Sequence, residues 1–324
     1  MNFETVPTPE MVDRVRKFLE SEIPGLPEEA CFFHVIPAPL EKTVSYGGGT
    51  ARGPEAILEA SVQLEAFDGV SRPCELGIYT TEPVQTLEEI EHLVSKVWKS
   101  GLHEQGEALE AGTAGSKVWK LAAPTGLVAA HKHKFPIVLG GEHTVTLGAL
   151  RALKAAGETF GVVQFDAHAD LRDEYEGSKL SHACVMRRAV DDLSLPLFQI
   201  GVRALSLEEH DLRIERGIPH LDAAEITKNG IPETLLPADF PQKVYVTFDV
   251  DGLDPSAMPS TGTPVPDGLS WRESFQCLEK IAAERTIIAA DVVELAPIDG
   301  LHGPDFGAAQ LAYRIMGLAA RQRT

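Results

Sequence analysis

The sequence predicts an α/β protein in which helices cover both faces of a parallel sheet. Three features carry that expectation. Short apolar runs alternate with longer stretches of helical periodicity along the 324 residues. Several short runs are apolar at almost every position, as strands sandwiched between helical layers must be. The order strand, helix, strand repeats, and parallel neighbours need such crossovers.

The elements follow in chain order. An apolar run predicts a strand over 31–38, and a helix follows over 54–61. Pro54 stands at its first turn, where a missing N–H costs least. A strand at 76–80 precedes a helical pattern over 87–100. The polar, Gly- and Ala-rich stretch 104–116 reads as a loop or a broken helix. Strands at 136–140, 161–166, 197–202, 244–250 and 286–293 then alternate with helices at 145–156, 182–191, 207–216, 271–283 and 306–321. No compositional shift divides the chain, so 1–324 is expected to be a single domain.

Composition narrows the function. Hydrophobic residues make up 44 %, enough for a substantial core, and the formal charge is −19. That charge repels phosphate backbones and disfavours nucleic acid as a partner, while biasing towards cationic ligands. The N-terminal stretch does not read as a signal peptide, and no apolar run is long enough to span a membrane. Four dispersed cysteines, Cys31, Cys74, Cys184 and Cys277, read as reduced thiols of a cytoplasmic protein.

Three strand ends carry metal-ligand chemistry. Phe165-Asp-Ala-His-Ala-Asp follows an apolar run, so Asp166, His168 and Asp170 stand at every second position. In extended backbone such side chains share a face. The run 244–251 likewise ends in Asp249 and Asp251, and two buried like charges require a neutralising cation. The turn Gly140-Gly-Glu-His-Thr follows a third apolar run and projects His143. Asp254, before a proline, reads as a turn residue. Four carboxylates and two imidazoles exceed the four ligands of a structural zinc site and suit a pair of hard or borderline cations. Oxygen-rich ligation with some imidazole favours Mn²⁺, with Ni²⁺, Co²⁺ and Zn²⁺ left open.

GGEHT, FDAHAD and TFDVDGLDPSAMPSTGTPVPDGLSW resemble the ureohydrolase family, which includes agmatinases and arginases. GGGTARGPEAI, from Gly47 to Ile57, and the stretch from Asp291 to Pro297 extend the resemblance. It implies a three-layer α/β/α fold around a parallel sheet of about eight strands. It also implies two Mn²⁺ ions. One would be held by His143, Asp166, Asp170 and Asp249, the other by Asp166, His168, Asp249 and Asp251, with Asp166 and Asp249 shared. Family members assemble as homotrimers or homohexamers.

The implied reaction hydrolyses a small cationic guanidino compound to urea and an amine. The guanidinium carbon is a poor electrophile, so a metal-activated water is needed at neutral pH. By resemblance, Asp170 receives the water's proton and His182 protonates the leaving amine; alternatively His182 is a helix-start histidine facing solvent. Glu294, in an otherwise apolar strand, is assigned to hold the guanidinium, with an ion pair to Arg203 as the structural alternative.

The substrate's tail is read from departures. Gly201-Val-Arg-Ala204 lacks the aspartate expected of an arginase, and Cys184, Val185 and Met186 replace the usual residues before the Arg187–Arg188 pair. Agmatine is the favoured substrate; guanidinobutyrate, guanidinopropionate and guanidine are the alternatives. A non-catalytic metal-binding relative, or a single-zinc amidase of related architecture, would not need all six ligands.

Overall fold

The computed structural model describes residues 16–20, 26–101 and 133–323. The expected loop at 104–116 and most of the N-terminal stretch lie outside the described residues.

Eight strands form one parallel sheet: β1 (Phe33–Ala38), β2 (Ile78–Thr80), β3 (Phe135–Gly140), β4 (Gly161–Phe165), β5 (Leu197–Ile200), β6 (His220–Leu221), β7 (Lys243–Asp249) and β8 (Thr286–Val293). Their spatial order is β2-β1-β3-β8-β7-β4-β5-β6, and every pairing is parallel. The eight helices are α1 (Gly53–Ser61), α2 (Leu87–Lys99), α3 (Val145–Ala155), α4 (Val185–Asp191), α5 (Leu207–Glu215), α6 (Ala223–Asn229), α7 (Trp271–Glu284) and α8 (His302–Arg321), counted among the described residues.

Two hydrophobic clusters give the three layers. One joins α1, α6, α7 and α8 to Phe33, Val35, Ile137, Val163, Val246 and other residues of one sheet face. The other joins α2, α3, α4 and α5 to Ile36, Val138, Val162, Tyr245 and Ile288 on the opposite face. Ile137 and Val138 fall into different clusters because successive strand side chains point to opposite faces. Strands loaded with apolar residues on both faces cannot meet water on either, which is why helices cover both.

Three expectations are corrected. β6 is an eighth strand of only two residues, His220–Leu221, followed by α6; neither is long enough to give a periodic signal. The expected helix 182–191 begins as a turn of 3₁₀ helix over His182–Cys184 before α4 starts. The strand expected over 161–166 stops at Phe165, so Asp166, His168 and Asp170 do not alternate along extended backbone. Asp170 instead has φ +53°. A left-handed residue reverses the chain and swings its side chain back to the strand end.

The four central strands, β3, β8, β7 and β4, are adjacent and end at the same edge of the sheet. Crevices at the carboxyl ends of parallel strands are where open α/β sheets gather their chemistry. Among the described residues, no helix is long and apolar enough to cross a membrane.

Candidate metal centre

Each central strand delivers its own residues. After β3, the chain turns at Gly140 and Gly141, and a Cβ on Gly141 would collide with the Leu40 carbonyl. That close approach lets the turn pass beneath Leu40, whose carbonyl accepts from Glu142 N at 2.8 Å, and presents His143 inward. After β4 come Asp166, His168 and Asp170. β7 ends in Asp249, whose Oδ1 accepts from Asp251 N at 2.8 Å and caps a turn of 3₁₀ helix over Val250–Gly252. The two aspartates therefore meet through a tight turn rather than strand alternation. Glu294 follows β8 with φ +64°, and its Oε1 accepts from His143 N at 2.7 Å.

The six expected ligands converge. His143 Nδ1 lies 2.9 Å from Asp170 Oδ2, 3.2 Å from Asp166 Oδ2 and 3.4 Å from Asp249 Oδ2. His168 Nδ1 lies 3.0 Å from Asp251 Oδ2 and 3.6 Å from Asp166 Oδ1. His143, Asp166 and Asp170 form one compact donor group, and Asp166, His168 and Asp251 form another. Asp166 belongs to both, with one oxygen turned to each histidine. Its orientation is fixed by Gln164 Nε2, which donates to Oδ2 at 2.7 Å, and by His168 N, which donates to Oδ1 at 2.6 Å.

His143, His168, Asp170, Asp249 and Asp251 floor a cavity of 430 Å³, with Asp166 buried beneath them. His182, Glu294, Thr263 and Tyr46 line its walls, with Arg172, Tyr175, Ser206 and Glu209. His182 is half-buried, opens the turn of 3₁₀ helix over His182–Cys184 and lines this cavity.

The geometry has close counterparts. The arginase family pattern matches residues 32–317. The chain belongs to the arginase family. The N(1)-aminopropylagmatine ureohydrolase of Synechocystis sp. is 41 % identical over 309 residues, which cover 93 % of each chain. The agmatinase of Pyrococcus horikoshii is 29 % identical over 304 residues, 93 % of this chain and 97 % of its own. The crystal structure of the agmatine ureohydrolase of Thermoplasma volcanium superposes with a TM-score of 0.75 at 27 % identity, over 96 % of this chain and 97 % of that one. As a member of the family, the chain is a hydrolase.

In this arginase-family site, the electrostatics call for cations. Burial, together with the charges of Asp166 and other neighbouring carboxylates, pushes Asp170 up to about 7 and Asp249 well above the usual carboxylate range. Burial also pushes Glu294 up to about 8. Burial disfavours a charged His143, yet the carboxylates of Asp166, Asp170 and Asp249 around it outweigh burial and raise its pKa well above the ordinary value. Its Nδ1 is fully buried and has no hydrogen-bond partner as an acceptor. An orphaned ring nitrogen among three carboxylate oxygens fits a divalent ion, and the shared Asp166 fits a second beside it. The described cysteines are all free and buried, none in either donor group, so the set is one of oxygen and imidazole.

Contacts bear on two points that the sequence left open. Arg203 does not pair with Glu294. Its guanidinium donates to the carbonyls of Gly201, Asp251, Gly252, Leu253, Val265 and Pro266, tying down the loop after β7. Val185 and Met186, in α4, are buried in the core, and the buried Cys184 thiol donates to the Ser178 carbonyl, so none of these departures from the family pattern lines the cavity. Arg188 and Arg187 bind Asp173 and Asp191. Asp254 caps a turn, as expected, accepting from Ser256 N at 3.0 Å.

Sequence reasoning missed the residues behind the ligands. Gln164, Thr247 and Asp291 lie inside β4, β7 and β8 and are fully buried. Their signal was available: a polar side chain within an apolar run must find a buried partner.

Proposed function

We propose that the chain hydrolyses the guanidinium end of a guanidino-polyamine, giving urea and an amine, with two Mn²⁺ ions held by His143, Asp166, His168, Asp170, Asp249 and Asp251. The observation that carries this is Asp166, shared by two donor groups on the floor of one cavity. When bound, the cations make a water nucleophilic at neutral pH.

The chain's own residues do the rest. Glu294 faces the cavity beside the ligands, and a carboxylate matches the forked donors of a guanidinium. Asp170 takes the proton released by the attacking water. His182, whose pKa burial pushes below the ordinary value, is neutral at pH 7. It therefore accepts a proton before passing it to the leaving amine.

The tail is proposed to be N1-aminopropylagmatine, with agmatine as the second reading. Relatives named for the longer compound share 41 %, 35 %, 34 % and 30 % identity with this chain. Relatives named agmatinase share 29 % to 30 %. A guanidino acid would need a cation at the mouth. Arg172 lies there but is engaged, 5.0 Å above the Tyr175 ring and 3.8 Å from Glu209. Ala204 stands in the cavity lining, in the stretch where an arginase is expected to carry an aspartate.

A urea-release assay with added Mn²⁺ or Ni²⁺ tests this. The panel is N1-aminopropylagmatine, agmatine, guanidinobutyrate, guanidinopropionate, guanidine and arginine. The highest kcat/KM is expected for N1-aminopropylagmatine. Equal or better turnover of a guanidino acid would overturn the polyamine reading, and no urea from any of them would overturn the hydrolase reading.

A further inference from the structure

We propose that Asp291, acting through Thr247, fixes the tautomer of His143 so that Nδ1 is offered to a metal ion. Asp291 is fully buried in the middle of β8, beside Thr247 of β7 in the sheet register. It is not a ligand, and it rests on the two-cation reading above only in what it prepares His143 to do.

The hydrogen bonds leave one arrangement. Three hydroxyls converge on the Asp291 carboxylate. Tyr245 Oη and Thr146 Oγ1 each donate to Oδ2 at 2.7 Å, and Thr247 Oγ1 donates to Oδ1 at 2.7 Å. A carboxylate only accepts, and each hydroxyl has one proton. Thr146 lies 3.4 Å from Thr247, a much poorer geometry than its bond to Asp291, so its proton is committed to the carboxylate. The Thr247 proton is committed as well. Its oxygen can then only accept from His143 Nε2, which lies 2.8 Å away.

Nε2 must therefore carry the ring proton. In the neutral imidazole, Nδ1 is then a bare lone pair, directed at the oxygens of Asp170, Asp166 and Asp249. Four electron-rich atoms facing one point are tolerated only around a cation or a shared proton. Without the relay the ring could place its proton on Nδ1, against those oxygens, and the proton would compete with the metal. Asp291, Tyr245 and Thr146 are thus positioning residues, and Thr247 is the contact that transmits their order. Partners of this kind, behind a ligating histidine, contribute about 10–100-fold to metal affinity.

The test counts Mn²⁺ bound to the purified protein by the electron paramagnetic resonance of free Mn²⁺, alongside thermal melting. Wild type is expected to take up two ions. Thr247→Val keeps the shape but removes the hydroxyl, and should weaken one ion by about 10–100-fold. Thr247→Ser restores the hydroxyl and should bind both ions within about threefold of wild type, a rescue that packing alone would not produce. Asp291→Asn should shift the same ion in the same direction as Thr247→Val. The proposal is overturned if Thr247→Val binds both ions as wild type does, if Thr247→Ser loses as much as Thr247→Val, or if Asp291→Asn folds and binds normally. Should wild type bind fewer than two ions, the two-cation reading itself fails.

Discussion

Thr43 decides which nitrogen of His182 reaches the cavity. Its hydroxyl donates to Glu142 Oε2 at 2.8 Å, so its oxygen is left to accept. It accepts from His182 N at 3.0 Å and faces His182 Nδ1 at 3.2 Å. The ring proton therefore sits on Nδ1, and Nε2 is free to carry a proton to and from the substrate. Thr43→Val should leave metal content unchanged and lower kcat by about tenfold, whereas His182→Ala should lower it by about 10²–10⁴-fold, the usual worth of a general acid. Metal loss in either variant, read by atomic emission, would place His182 in a different role. His143→Ala, by contrast, should release one ion and abolish most turnover; full metal content at wild-type rate would remove His143 from the site. The candidate ligands were legible because carboxylates and imidazoles at three strand ends have little other reason to be there. Thr43, Thr247 and Gln164 were not, because a hydroxyl or amide is unremarkable in sequence until its partner, often a hundred residues away, is known.

The strands were legible for a different reason. A fully buried parallel strand must be apolar on both faces, and that run shows against any flanking turn. What the pattern could not show was where extended geometry ends. Asp166 to Asp170 reads as alternation, yet the bend and the left-handed Asp170 bring those side chains together. β1 carries a buried exception to the apolar rule. His34 is buried there, with its ring tilted against that of Tyr79 at 5.6 Å. Burial, reinforced by the Lys134 charge, pushes its pKa down to about 4, although Glu28 works in the opposite direction. The folded chain thus holds His34 neutral, while an unfolded histidine titrates near 6.5. Between these values the unfolded state binds more protons, so stability is intact above the upper value and falls as pH drops towards the lower one. At about 1.4 kcal/mol for each pH unit, the loss is roughly 3 kcal/mol. Chemical denaturation at pH 7 and pH 4.5 should show a smaller drop for His34→Leu than for wild type; equal drops would mean that His34 is not an acid-sensitive point.

Across the whole molecule, charge is the feature that composition alone made plain. The chain carries a formal charge of −19, and two divalent cations would leave it strongly negative. Such a field draws in small cations, and its reach is set by salt, with a Debye length of about 10 Å at 0.1 M and about 3 Å at 1 M. Arg172, which lines the cavity, already sits 3.8 Å from Glu209 and over the Tyr175 ring, so the acidic floor is left to favour an incoming polyamine. Agmatine carries two positive charges at neutral pH and N1-aminopropylagmatine three. Both should lose kcat/KM as salt rises, and the trication should lose more. Because capture is affected and chemistry is not, the loss belongs in KM, with kcat nearly constant. Steady-state kinetics of the two compounds from low to high NaCl decide this: parallel lines in a plot of log kcat/KM against ionic strength, or a fall in kcat at fixed KM, would mean that the negative charge plays no part in choosing the substrate.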